Sequence, residues 1–151
     1  MNTPSKHASI SISLVQAREA LMNQFRPILN AAGVTDQQWR IIRLLAEQGT
    51  LDFQDLAEQA CILRPSLTGI LSRLEKVGLV IRLKPLNDQR RVFLKLTGEG
   101  ERLYHETRAK VDERYDVIET MISREKLQQL QTLLGELKGL GKDKAGQSDE
   151  G

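Results

Sequence analysis

The residues of this chain whose types and spacing suit a chemical task are cations. Between positions 64 and 95 stand Arg64, Arg73, Lys76, Arg82, Lys84, Arg90, Arg91 and Lys95, against only Glu75 and Asp88. That stretch carries +6 in a chain of 151 residues whose total is +2, which leaves −4 for the remainder. Guanidinium and ammonium groups gathered on one part of an otherwise acidic chain focus positive potential, and the ligand they suit is a row of phosphates. A plain solvated face is the alternative for a charge run taken alone. Signs of catalysis or metal binding are missing. One cysteine, Cys61, makes no intramolecular disulfide, and with the distant His7 and His105 it makes no zinc cluster. No Ser-His-Asp, paired-carboxylate or glycine-rich phosphate pattern stands out, so the expectation is a binding protein, not an enzyme, with no cofactor and no metal.

The elements that must position these cations follow from periodicity and punctuation. Residues 5–32 read as a first helix with Leu14, Leu21, Phe25, Ile28 and Ala32 on one face, a kink at Pro27 and a stop at Gly33. Thr35 and Gln38 have capping-box spacing and open a second helix, which presents Trp39, Ile42, Leu45 and Ala46 and ends at Gly49. A short third helix over 52–60 turns Phe53, Leu56, Ala57 and Ala60 inward. After a break at 61–63, Pro65 starts a fourth helix that runs to about Val77, with Leu67, Ile70, Leu71 and Leu74 inward and Gly78 at its end. The period then shortens. Residues 79–84 and 91–96 are rich in β-branched and aromatic types and flank a turn-forming segment, 85–90, which predicts a β-hairpin. Thr97 caps a fifth helix carrying Leu103, Val111, Tyr115, Ile118 and Ile122. A sixth follows Ser123 with Leu127, Leu130, Leu134 and Leu137, and from Gly141 onward the composition is that of a loose tail.

Length and composition set the frame: 151 residues predict one folding unit, and a 40% apolar share is enough for a core. The apolar runs are far too short to span a bilayer, and no charged-then-apolar leader opens the chain, so a soluble cytoplasmic protein with no membrane partner is expected. Two short helices joined by three residues and followed by a hairpin outline a winged helix-turn-helix. The expected fold class is mainly α with a small β-hairpin wing. In such a fold the second helix enters the major groove of DNA. The cations coincide with that helix and the hairpin, which favours double-stranded DNA over a solvated face or a helical protein–protein adaptor.

Three segments resemble the signature of the MarR family: Arg-Leu-Glu-Lys-Val-Gly-Leu-Val (73–80), Asn-Asp-Gln-Arg-Arg (87–91) and Leu-Thr-Gly-Glu-Gly (96–100). The resemblance covers about residues 9–140. Four further segments, 14–20, 25–28, 37–41 and 60–71, are similar to a branch of the family that represses degradation of homoprotocatechuate and 4-hydroxyphenylacetate. The resemblance implies a small dimeric regulator released from a palindromic operator by an aromatic acid of the 4-hydroxyphenylacetate or 3,4-dihydroxyphenylacetate type. Other effectors within the family are an oxidant sensed through Cys61 or a different phenol.

Roles follow by position. Arg64, Pro65, Ser66 and Thr68 lie in the first turns of the recognition helix, where side chains meet base edges, although Ser66 and Thr68 also suit helix capping. Many family members carry a basic residue beside that threonine, where this chain has Gly69. Arg73 lies one turn further on, in reach of phosphate or guanine. The family pattern makes Arg90 the wing-tip arginine of the minor groove. Asp88, two residues away, either orients that guanidinium or forms a turn, while Arg91 and Lys84 are phosphate contacts. For the effector, Arg18 offers a cation for a carboxylate, Trp39 a ring and Gln38 an amide, with Ser13 and Arg43 as lesser additions. The competing assignment makes Trp39 core and Arg18 a dimer salt bridge. Cys61, among Ala60, Ile62 and Leu63, is expected to be a small buried packing residue, since oxidant-sensing relatives carry their cysteine near the chain start. The expected organisation is a dimerisation helix (1–34), a DNA-binding lobe (35–97), two further dimerisation helices (98–140) and a tail (141–151). The apolar stripes of the end helices, lacking an obvious partner, give the dimer its physical reason.

Overall fold

Helix boundaries fall where side chains can satisfy the free amides of a first turn. In the computed structural model, which describes residues 2–88 and 90–142, α1 (Ile10–Ala32) starts where the Ser9 hydroxyl accepts from the Ile12 amide, five residues later than the sequence suggests. It runs on through Pro27 and ends at Gly33, whose φ of 77° lies in the left-handed region that glycine adopts without strain. The capping box predicted for α2 (Asp36–Gln48) forms: the Gln38 amide donates to Thr35 Oγ1 at 3.1 Å and the Thr35 amide to Gln38 Oε1 at 3.0 Å. Asp52 caps α3 (Phe53–Ala60) by accepting from the Asp55 amide at 2.8 Å. The next helix, α4 (Arg64–Lys76), has Leu63 at its cap and so no side-chain capping bond.

The hairpin is β2 (Val80–Leu83) against β3 (Phe93–Leu96), antiparallel, with Val80 opposite Leu96 and Leu83 opposite Phe93. A third strand that periodicity did not reveal, β1 (Leu51–Asp52), joins the other side of β3, with Leu51 opposite Leu94 and Asp52 opposite Phe93. Two residues are too short for a period, so this strand exists only through its pairing. After the sheet come α5 (Gly98–Ile122), α6 (Arg124–Lys138) and a 3₁₀ turn at Gly139–Gly141. The tail expected from 141 enters that turn, and residues 143–151 lie outside the described residues.

The chain divides into two compact units, Met1–Val111 and Asp112–Gly151, with the boundary inside α5. The core of the first unit is the predicted leucine set of the helix-turn-helix, Leu56, Leu67, Leu71 and Leu74, closed by Leu94 of the sheet and by Ile41 and Ile42. Three positions differ from expectation. Leu29, not Ile28, is the wholly buried residue at the end of α1. Ile41 joins Ile42 in the core. Phe53 is only half-buried, because as the first residue of α3 it sits at the sheet's edge. In α5 Tyr104 and Thr107 are buried beside the predicted Val111. In the second unit α6 contains no buried residue. Among the described residues no helix is long and apolar enough to cross a membrane.

Candidate nucleic-acid interface

The residues expected to meet DNA all reach solvent. On α4, Arg64, Pro65, Ser66, Thr68 and Arg73 are exposed while Leu67, Leu71 and Leu74 of the same helix are not, so one face packs the helix and the other presents it. Ser66 and Thr68 do not cap α4. The Thr68 hydroxyl donates to the Arg64 carbonyl at 3.1 Å, a bond within the helix. With Leu63 supplying no side-chain bond and Pro65 carrying no N–H, the first turn leaves the Arg64 and Ser66 amides as its donors for an external anion.

On the wing, Lys84, Asp88, Arg90 and Arg91 are exposed, and Gln89 lies outside the described residues. Asp88 Oδ1 accepts from the backbone amide of Arg90 at 3.1 Å, so this carboxylate shapes the turn rather than holding the guanidinium. Two cations of the cluster are engaged within the chain. Arg82 donates through Nε and Nη2 to the two oxygens of Glu75, both at 3.0 Å. Arg91 Nη2 donates to Asp52 Oδ2 at 3.0 Å and lies 4.8 Å over the Phe93 ring. The Asp55 amide, and after it Arg91, hold the Asp52 carboxyl below the usual carboxylate range. Among the described residues no salt bridge engages Arg64, Arg73, Lys76, Lys84, Arg90 or Lys95. These six form the free cationic surface of α4 and the wing.

The Leu-Thr-x-x-Gly signature ties the wing to the start of α5. Thr97 Oγ1 donates to the Gly78 carbonyl at 2.6 Å and accepts from the Gly100 amide at 3.1 Å, while the Thr97 amide donates to the Leu79 carbonyl at 3.0 Å. A Cβ at position 100 would collide with that Leu79 carbonyl oxygen, so only glycine fits.

The expected effector residues do not assemble in this way. Arg18 is paired with Asp36 at 2.8 Å, which also receives Arg40 at 3.6 Å. Gln38 spends its amide oxygen on the capping box, and Arg43 pairs with Glu47 at 2.8 Å. Trp39 is buried and stacks on Tyr104, their ring centroids 5.7 Å apart and their planes 23° apart. Ser13 is exposed on α1. A cavity of about 330 Å³ in the first unit, between the end of α1 and α5, is lined by Ala31, Leu103 and Thr107 among others, and by none of these five. Cys61 corrects the expectation of burial. It is exposed, takes the left-handed position that ends α3 at φ 54°, and its Sγ lies 3.7 Å from the Glu58 carbonyl, while Ile62 occupies the buried place. His7 and His105 are surface residues.

Comparison with known proteins matches the model of the MarR family over residues 34–92, the span from the start of α2 to the end of the wing turn. The chain is 75% identical over 137 residues to the HTH-type transcriptional regulator FarR of Neisseria gonorrhoeae, covering 91% of this chain and 94% of that protein. This chain belongs to the MarR family. It is 55% identical over 135 residues to the homoprotocatechuate degradative operon repressor of Escherichia coli, covering 89% of this chain and 91% of that protein. The crystal structure of NadR in complex with 4-hydroxyphenylacetate superposes with a TM-score of 0.82 at 76% identity, covering 91% of this chain and 97% of that one. These relatives are transcriptional regulators rather than enzymes, and the winged helix-turn-helix of this chain is the MarR fold.

Sequence reasoning missed the roles of Asp52 and Glu75, the carboxylates that hold two of the wing's three arginines, Arg91 and Arg82. Glu75 is seven positions from Arg82, but Asp52 is 39 from Arg91 and comes beside it only through the pairing of β1 with β3.

Proposed function

We propose that this protein is a cytoplasmic, homodimeric repressor of an aromatic-acid catabolic operon, released from a palindromic operator by a hydroxylated phenylacetate. The observation that carries the reading is the set of six exposed cations on α4 and the wing that no salt bridge engages among the described residues, groups that suit a row of phosphates. In it Arg64, Ser66, Thr68 and Arg73 approach the major groove, Arg90 enters the minor groove, and Lys84 meets phosphate. The likeness to the 4-hydroxyphenylacetate complex of NadR supports the effector class.

Dimerisation has a physical motive in apolar surface left open within the chain. On α1, Ile10, Ile12, Leu14 and Val15 are exposed, and on α6, Leu130, Leu133 and Leu137. Burying such faces against a second copy stabilises association by about 25 cal/mol per Å² of apolar area removed from water. It also sets two recognition helices about 34–36 Å apart, one turn of the duplex. The effector then needs only a higher affinity for the dimer geometry whose helices no longer match successive grooves.

For the effector site we retain Ser13, Arg18, Gln38, Trp39 and Arg43. Arg18 is the carboxylate anchor, exchanging Asp36 for the ligand. Arg18→Ala should leave operator affinity near normal and blunt release, and a normal ligand response in that variant discards the assignment. A gel shift on the DNA upstream of the gene, titrated with 4-hydroxyphenylacetate and 3,4-dihydroxyphenylacetate, tests the whole reading. Retention followed by release supports it, and absence of retention at low salt refutes it. A Cys61→Ser variant still released by peroxide removes the oxidant alternative.

A further inference from the structure

We infer that Asp52 is a positioning residue for DNA binding, its carboxylate latching the wing to the helix-turn-helix by holding Arg91, so that Arg91 serves geometry rather than phosphate. The inference rests on the proposed DNA-binding function and assigns a new role within it.

The two oxygens of Asp52 divide the work. Oδ1 accepts from the Asp55 amide at 2.8 Å and caps α3, the first helix of the helix-turn-helix. Oδ2 accepts from Arg91 Nη2 at 3.0 Å, in the segment that leads from the wing tip into β3. Backbone pairing supports the same junction, since Asp52 stands opposite Phe93 and the Phe53 amide donates to the Val92 carbonyl at 2.9 Å. The Arg91 guanidinium is held from a second side by the Phe93 ring beneath it, a cation–π contact at 4.8 Å. Arg90, the cation assigned to the minor groove, is the next residue along, so fixing Arg91 fixes the exit of the turn that carries Arg90. The other strand of the wing is held in the same manner, Arg82 on β2 gripping Glu75 near the end of α4 through two parallel bonds. Each side of the wing is thus pinned by one arginine to one helix of the helix-turn-helix.

The latch and the phosphate contact predict opposite signs. Asp52→Asn keeps a good helix cap and removes a negative charge from the cationic lobe. If electrostatics alone acted, or if Arg91 were thereby freed for phosphate, operator binding would tighten and its salt dependence steepen by about 0.9 per additional phosphate neutralised. A latch predicts the reverse: binding about two- to fivefold weaker, as for the loss of an ion pair, with the salt slope unchanged. Fluorescence anisotropy on an operator duplex, using the full-length dimer, reads both quantities. Arg91→Gln should weaken binding by a similar factor without lowering the slope, and the Asp52→Asn/Arg91→Gln double variant should be no weaker than either single one. Tighter binding by Asp52→Asn, or a slope lowered by Arg91→Gln, overturns the latch. Should Asp52→Asn not fold, the slope of Arg91→Gln alone decides. Failure of the wild-type protein to bind duplex DNA at low salt would instead strike the underlying DNA reading.

Discussion

Two helices of this chain carry leucines at the same spacing and meet different fates. In α4, Leu67, Leu71 and Leu74 have no exposed surface, packed by α2, α3 and β2 of the same unit. In α6, Leu127, Leu130, Leu134 and Leu137 lie in a helix without a buried residue, and between them Leu133 is 59% exposed. Periodicity reports that a helix has an apolar face; it does not report which molecule covers it. The first face completes a fold and thereby turns Arg64 and Arg73 outward. The second, in the function proposed above, is surface reserved for another copy of the chain.

The largest expected effect separates these two faces. Leu71→Ala should cost about 2–5 kcal/mol of stability in urea unfolding at any protein concentration, because it opens a cavity in a closed core. Leu133→Ala should lose stability only as far as the dimer dissociates, so its midpoint should depend on concentration more steeply than that of the wild type. Equal, concentration-independent losses at both sites would break the contrast. A smaller effect tests how the DNA-binding unit is closed: Gly100→Ala forces a methyl against the Leu79 carbonyl and should cost about 1–3 kcal/mol by thermal melting. A substitution without cost there would show that the start of α5 is not seated on the wing.

Much of the DNA-binding lobe is legible in the sequence because its signals are local. The Thr35–Gln38 box, the leucines of α4 and the antiparallel hairpin each lie within one short stretch of sequence, and each forms as read. What periodicity missed depends on neighbours distant in the chain. β1 is a strand only because Phe93 and Leu94 lie beside it. Cys61 looks apolar among Ala60, Ile62 and Leu63, yet the left-handed turn after α3 directs it to solvent. The residues proposed to face DNA are exposed as their charge suggests, because a cation needs only exposure to act. The proposed effector residues were harder to read, since Arg18, Gln38 and Arg43 already have partners that their types alone do not disclose.

The smallest effect concerns Asp52 and acid. Its carboxyl titrates below the ordinary range in the folded chain, held there by the Asp55 amide and then by Arg91. The stability this contributes is fully present above the unfolded carboxylate value of about 3.9 and is lost as pH falls through the lower folded value. Wild type should therefore exceed Asp52→Asn by about 0.2–1 kcal/mol at neutral pH, the range of an exposed ion pair, and the two should converge in acid. A difference that persists at low pH would place the effect elsewhere than in the ion pair.

The central claim is that the unpaired cations of α4 and the wing neutralise DNA phosphates. The dependence of operator affinity on salt, measured for the wild type and for an Arg64→Gln/Arg73→Gln/Arg90→Gln variant, tests it most directly. The variant should bind more weakly, with a slope shallower by about 0.9 for each phosphate it no longer neutralises, summed over both subunits. Equal slopes for the two proteins would contradict the claim.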